Sequence, residues 1–225
     1  DTRNLANVCS ISLVSGNQGT SGQVLKSQGT GQPSTWGAVD AITNYAYESR
    51  GSLRATTPTD GSQAYVTGLG YFVPENVVTN DDLKQWMETS DEWIQERTGI
   101  KERRWIDPTK GETTSTMAVK AAKIAIKRAN LTKDDIDFIV FATLSPDMYF
   151  PGGGVRVQDM LDMPTIGALD VRNQCSGFIY SLSVADQFIK TGMYKNILVI
   201  GAENHSGGLE RSTRGRNVTV IFGDG

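Results

Sequence analysis

The residue best placed for covalent chemistry is Cys175. It lies in the run Leu169-Asp170-Val171-Arg172-Asn173-Gln174-Cys175-Ser176-Gly177-Phe178, whose texture is strand, tight connection, helix start. A cysteine in the first turn of a helix faces unpaired N–H groups and the positive end of the helix dipole, both of which favour thiolate, the nucleophilic form. Gly177 would let a substrate or another stretch of backbone approach the sulfur closely. Taken alone, a single cysteine is more often a structural residue, so the chemistry depends on its surroundings. The chain has one histidine, His205, which bounds any histidine-assisted attack; set among Ser206, Gly207 and Gly208, it reads as a solvated loop residue.

Composition narrows the field further. Two cysteines cannot build a disulfide framework, and one histidine cannot build a His-rich metal site, so no metal is expected. The 22 basic residues against 25 acidic ones are scattered, with Lys101 to Arg104 the only short basic cluster, which argues against nucleic-acid binding. No apolar run approaches the ~20 residues that span a bilayer, and no basic region precedes an apolar core at the N-terminus. A soluble cytoplasmic protein with no membrane contact is the expectation. Gly152-Gly153-Gly154 lacks the Gly-Lys-Ser/Thr of a phosphate loop, and Gly68-x-Gly70 lacks the third glycine of a dinucleotide turn.

Texture changes along the chain. Residues 1–62 are rich in Ser, Thr and Gly and carry no sustained helical period, so they read as loop or short-strand material. From residue 63 onward, strands alternate with amphipathic helices. Strands are expected at 63–71, 138–143, 165–170, 196–202 and 217–222, and helices at 114–130, 154–163 and 175–191. Capping signals stand at Thr79 to Asp82 and at Thr89 to Glu92. Strands separated by helices of this length imply a mostly parallel sheet covered on both faces. The division expected is therefore a head, 1–62, and an α/β domain, 63–225.

Several motifs stand in register: Asn80-Asp81-Asp82-Leu83, then Thr89-Ser90-Asp91-Glu92-Trp93-Ile94-Gln95-Glu96-Arg97-Thr98-Gly99-Ile100-Lys101-Glu102-Arg103-Arg104, then Gln174-Cys175-Ser176-Gly177-Phe178, then Ile221-Phe222-Gly223-Asp224-Gly225. In this order and spacing they strongly resemble β-ketoacyl-acyl carrier protein synthase III, from about residue 64 to 225. The head lies outside that resemblance; its Val-Leu pair and Trp36 between turn residues weakly resemble phage tail-fibre repeats.

The resemblance implies the N-terminal half of a thiolase-like, layered α-β-α fold. It implies that Cys175 takes an acyl group from acyl-coenzyme A and passes it to a malonyl-carrier carbanion, with the Cys175 amide donating to the oxyanion. Coenzyme A is then a substrate, and no cofactor is held. Trp93 would stack the adenine, with Arg97 on the same helical face and Thr89 nearby. A second arginine precedes the last expected strand: ungapped counting gives Arg216, matching the Arg-Gly pair gives Arg214, and Arg216 is preferred. Phe150 and Phe222 would wall the acyl pocket, Phe150 from a segment that crosses a homodimer interface. The family's catalytic histidine and asparagine belong to the second half of the fold, and His205 does not match that histidine. A half-fold would also leave an apolar face uncovered, and this chain alone is expected to be inactive. Two other readings are a thiolase-like enzyme of secondary metabolism and a fibre protein fused to an enzyme fragment. The partners implied are acyl-coenzyme A, the acyl carrier protein and a second copy of the chain.

Overall fold

The computed structural model describes residues 64–225, together with the backbone of three short strands before them: β1 (Gln23–Lys26), β2 (Thr35–Ala38) and β3 (Leu53–Ala55). The tail-fibre likeness falls outside the described residues apart from those strands. β1 and β2 pair antiparallel with each other.

The centre of the domain is a run of apolar residues that must be strand. β7 (Phe138–Ala142) has Ile139, Val140 and Phe141 fully buried. Side chains alternate across a strand, so both faces of β7 need cover. Ile139 and Phe141 join Ala118, Ala122, Ile126, Val157, Leu198 and Ile200 in one core, while Val140 joins Ala185, Ile189 and Ile197 in the other. The first core is closed by α2 (Thr114–Arg128) and α3 (Gly153–Met160), the second by α4 (Gly177–Lys190). β8 (Gly167–Val171) and β9 (Asn196–Gly201) flank β7 in parallel, with Phe138 level with Gly167 on one side and Ile197 on the other. With β4 (Ala64–Val66), the sheet order is β4-β3-β9-β7-β8. The fold is layered α-β-α, as expected, with β3 antiparallel beside β9 and β4, antiparallel to β3, at the outer edge.

Two close approaches fix where the helices sit. A Cβ on Gly153 would lie 2.1 Å from the Phe141 ring, so the start of α3 reaches the sheet only as glycine. Asp170 of β8 then holds that helix start, accepting from the amides of Gly153 at 2.6 Å and Gly154 at 2.7 Å. A carboxylate on the first free amides of a helix satisfies orphan donors and opposes the dipole. Asp170→Ala is expected to cost about 2 kcal/mol in urea unfolding, with Asp170→Asn intermediate.

A second, smaller core stands beside the sheet. β5 (Val77–Thr79) and β6 (Glu102–Arg104) form an antiparallel pair, and α1 (Asp91–Thr98) packs on it through Ile94. Leu83, Ile94, Ile100, Trp105 and Val220 bury together there. Ser90 caps α1 by accepting from the Trp93 amide at 3.1 Å, so the cap read at 89–92 forms. The cap read at Thr79–Asp82 also forms, over one tight turn: Asp82 accepts from Thr79 while its amide donates back to the Thr79 hydroxyl.

Two expected strands differ. The strand read at 63–71 stops at Val66, and Gly70 lies where a Cβ would be 2.0 Å from the Ala121 carbonyl, so this segment presses on α2 instead of extending the sheet. The strand read at 217–222 is instead the short helix α5 (Arg216–Thr219). Its β-branched run favours a strand only where a neighbouring strand offers a pleated surface. Here the Thr219 hydroxyl donates to the Glu210 carbonyl at 2.7 Å and Val220 is drawn into the second core.

Candidate active site

Cys175 is exposed and stands in a single tight turn, Gln174–Ser176, between β8 and α4. That turn runs directly into α4, so the cysteine sits at the helix entrance, just ahead of the helix proper. Gln174 takes a left-handed φ of 49°, which bends the chain sharply enough to present Cys175 at the end of the sheet. Gly177 has another role than the one read from sequence: it is buried, and a Cβ there would meet the Ala142 Cβ at 3.4 Å, so it seats the start of α4 on β7.

The thiol opens on a cleft of about 330 Å³ lined by Leu144, Phe178, Ala202, His205, Phe222 and Gly223 among others. The cleft lies beyond the C-terminal ends of β7 and β9, where parallel sheets place their ligands. Phe222, expected in the acyl pocket, lines it. Phe150 does not: it is 86% exposed and outside the cleft lining, so within one chain it walls nothing near Cys175.

His205 is corrected by the structure. It is half-buried and lines the same cleft as Cys175, with its ring 4.5 Å from the Phe222 ring and Nδ1 3.4 Å from the Gly223 carbonyl. The sequence hid this because the loop after β9 looks polar and open. A buried carboxylate reorganises it: Asp224, 1% exposed, accepts from the amides of Ile106, His205 and Ser206 at 2.7–2.8 Å. Glu203 was also missed as a cleft residue; it accepts from the Leu144 amide and the Ser145 hydroxyl, both at 2.6 Å. The one sequence sign of either is the acidic member of each loop motif.

The other predicted residues gather at a second place. Trp93 has the Arg97 guanidinium 4.4 Å and the Arg216 guanidinium 4.3 Å from its ring centroid. Arg216 also donates to the Glu88 carbonyl at 2.6 Å, beside Thr89. Arg214 instead pairs with Glu210 at 2.8 Å on the surface. Among the described residues four buried side-chain polar atoms lack a hydrogen-bond partner, and two of them, Thr89 Oγ1 and Arg216 Nε, belong to this cluster. Buried polar atoms are ordinarily satisfied, so an aromatic ring, two cations and two orphan groups in one place fit an anionic ligand with a flat ring. Neither Trp93 nor Arg97 lines the cleft at Cys175. The link between the two places is covalent, from Arg216 in α5 through Val220 to Phe222 and Gly223.

A layered α-β-α sheet, with a cysteine on the bend between a strand and a helix, is the architecture of one half of a thiolase-like fold. In comparison with known proteins, residues 169–225 match the family model of 3-oxoacyl-acyl-carrier-protein (ACP) synthase III. The chain is 48% identical over 162 residues to β-ketoacyl-acyl-carrier-protein synthase III of Caldanaerobacter subterraneus subsp. tengcongensis, covering 72% of this chain and 48% of that protein. It is 48% identical over 160 residues to that of Aquifex aeolicus, covering 71% of this chain and 50% of the other. The crystal structure of 3-oxoacyl-acyl-carrier-protein synthase III from Aquifex aeolicus VF5 superposes with a TM-score of 0.66 at 47% identity, over 70% of this chain and 49% of that one. The priming β-ketosynthase of the R1128 polyketide pathway superposes with a TM-score of 0.67 at 26% identity, over 80% and 50%. The resemblance drawn from the motifs holds: over 162 residues, 72% of its length, the chain is similar to β-ketoacyl-acyl carrier protein synthase III. The chain spans about half the length of the curated relatives it matches.

Proposed function

We propose that residues 64–225 form the acyl-loading half of a condensing enzyme of fatty acid synthesis, with Cys175 as the nucleophile. The observation that carries this is the Cys175 bend opening on the cleft shared with Phe222 and His205. The Cys175 sulfur attacks the thioester carbonyl of acyl-coenzyme A; the carbonyl–sulfur bond to coenzyme A breaks, the coenzyme leaves as its thiol, and the acyl group remains on Cys175 as a thioester. The Cys175 amide donates to the oxyanion of the tetrahedral intermediate. Decarboxylation of malonyl-acyl carrier protein then supplies a carbanion that takes the acyl group, giving a 3-oxoacyl product and restoring the thiol. In the reading from the family, that second step draws on a histidine and an asparagine outside residues 64–225.

The expected inactivity of this chain alone concerns the condensation; for the loading step, incubating the protein with acetyl-coenzyme A should place one acetyl group on the peptide containing Cys175, seen by mass spectrometry. No adduct, or an adduct on another peptide, would refute acyl loading by this half.

The Trp93 cluster is the coenzyme A end of the same reading, with Thr89 and Arg216 offering their orphan groups to its phosphates or adenine. At 4.3 Å from the Trp93 centroid, the Arg216 guanidinium already occupies stacking distance, so an adenine entering between them must push the arginine outward. Stacking of this kind is worth about 1–3 kcal/mol, so Trp93→Ala should weaken coenzyme A binding by about 10- to 100-fold in calorimetry.

A cytoplasmic homodimer fits the surface. β8 is the outer strand of the sheet, and Tyr149, Phe150, Ile179 and Tyr180 are all exposed, 43–86%, on segments flanking it. A second copy covering that edge would bury aromatic groups that are costly to leave in water and bring Phe150 against a neighbour's surface.

A further inference from the structure

The cleft at Cys175 is walled mainly by apolar side chains, and among the described residues five polar side chains besides the thiol line it. Two of the five, Tyr71 and Gln174, are exposed to solvent. Two more are already engaged. Both carboxylate oxygens of Glu203 accept, one from the Leu144 amide and one from the Ser145 hydroxyl, and both of Asp224 accept from backbone amides. The fifth is His205, half-buried in the lining.

His205 has one ring nitrogen engaged and one open. Nδ1 lies 3.4 Å from the Gly223 carbonyl oxygen. A carbonyl only accepts, so in the neutral imidazole the proton sits on Nδ1 and Nε2 is left as an acceptor. Among the described residues no group hydrogen-bonds Nε2, and it is not one of the four buried polar side-chain atoms without a partner, so it is open to the cleft. The ring is also held in place. Asp224 fixes the amides of His205 and Ser206, and the His205 ring centroid lies 4.5 Å from that of Phe222. Phe222 is anchored in turn, its carbonyl accepting from Trp105 Nε1 at 3.1 Å. A fixed acceptor among apolar walls is how a pocket orients and reads a hydroxyl.

We propose, on the acyl-loading reading of Cys175, that His205 is a specificity-determining residue: Nε2 accepts from a hydroxyl on the acyl chain, and the cleft favours a short hydroxyacyl-coenzyme A over the alkanoyl thioester of equal length. An acyl chain entering the cleft displaces water from Nε2. A hydroxyl restores the lost hydrogen bond, whereas an alkyl chain leaves the acceptor unpaired, so the discrimination comes from the penalty on the alkyl chain as much as from the gain on the hydroxylated one. The apolar walls serve the carbons of both chains alike.

The test is competitive loading of the protein with butyryl-coenzyme A against 2-, 3- or 4-hydroxybutyryl-coenzyme A, read by mass spectrometry as the ratio of the two adducts on the Cys175 peptide. For at least one isomer the hydroxybutyryl-to-butyryl ratio should be about tenfold higher in the parent than in His205→Leu, which keeps apolar bulk and removes the acceptor. Comparing ratios between proteins cancels the intrinsic reactivity of each thioester. His205→Gln, whose amide oxygen accepts, should give a ratio between the two. A ratio in His205→Leu equal to the parent's for all three isomers, or one in His205→Gln no higher than in His205→Leu, would overturn the role of His205 while acetyl loading of Cys175 stands. No Cys175 adduct from any thioester, acetyl included, would overturn the loading reading and the role of His205 with it.

Discussion

Cys175→Ala abolishes acyl transfer: the rate at which label moves from acetyl-coenzyme A to the protein falls by at least about a thousandfold, because among the described residues no other thiol can form the thioester. The site makes this a sharp expectation. Cys9 lies in the head, and among the described residues Cys175 is the one thiol, exposed at the mouth of the cleft. The alanine variant should still bind coenzyme A, since Trp93, Arg97 and Arg216 are held by α1, α5 and the Glu88 carbonyl and owe nothing to the sulfur. Cys175→Ser separates nucleophile from shape: it preserves the bend at Gln174 and the hydrogen-bonding volume but offers a far weaker nucleophile, so it should resemble alanine. Transfer retained in either variant, measured by radiolabel and confirmed by peptide mapping, would remove Cys175 from the chemistry.

Arg103→Met costs about 3–5 kcal/mol of stability, the second large effect. Arg103 is fully buried and, among the described residues, is the largest side chain with no exposure. Its guanidinium donates to the Val78 carbonyl at 3.2 Å, Asn80 Oδ1 at 2.7 Å and the Val220 carbonyl at 3.0 Å. Asn80, itself 1% exposed, donates onward to Asp91 Oδ1 and to the Ile100 carbonyl. Desolvation pulls the Arg103 pKa down to about 10, which still leaves it charged at neutral pH. Methionine fills similar volume but leaves three buried acceptors without a donor, each costing about 1–3 kcal/mol before relaxation. The loss should appear as a lowered denaturant midpoint. It should also reach the site, because Val220 leads into Phe222 and Gly223 at the cleft. Arg103→Lys should recover little, since one ammonium cannot match a planar fork aimed at three acceptors. A midpoint within about 1 kcal/mol of the parent would contradict this account of the network.

Arg103 also illustrates what a sequence conceals. Lys101 to Arg104 read as a short basic cluster, and in β6 alternate residues face opposite ways, so one of its two arginines is a surface group while Arg103 becomes an internal strut. Charge patterning cannot distinguish them; only the partners brought from Val78, Asn80 and Val220 do. His205 is a parallel case. Its neighbours in sequence are polar and small, and it enters the cleft only because Asp224, nineteen residues on, gathers the amides of Ile106, His205 and Ser206. The strand read at 217–222 failed for a related reason: β-branched composition is a preference for a pleated neighbour, and the neighbour there is the Glu210 carbonyl and an apolar core.

By itself the sequence determined the alternation of strand and helix between residues 114 and 202, the cap at Ser90, the cysteine at the strand-to-helix bend, and the run that places Trp93 and Arg97 one turn apart. Those are local facts, set by side-chain period, dipoles and turn chemistry over a few residues. The tertiary structure alone decided that His205 shares the cleft with Cys175 while Phe150 does not, that Arg103 is an internal strut, and that β3 pairs with β9. Each of those pairs residues far apart in the chain. They are fixed by which buried donor, ring or strand edge the packed core leaves without a partner, and a sequence read one segment at a time carries no record of that.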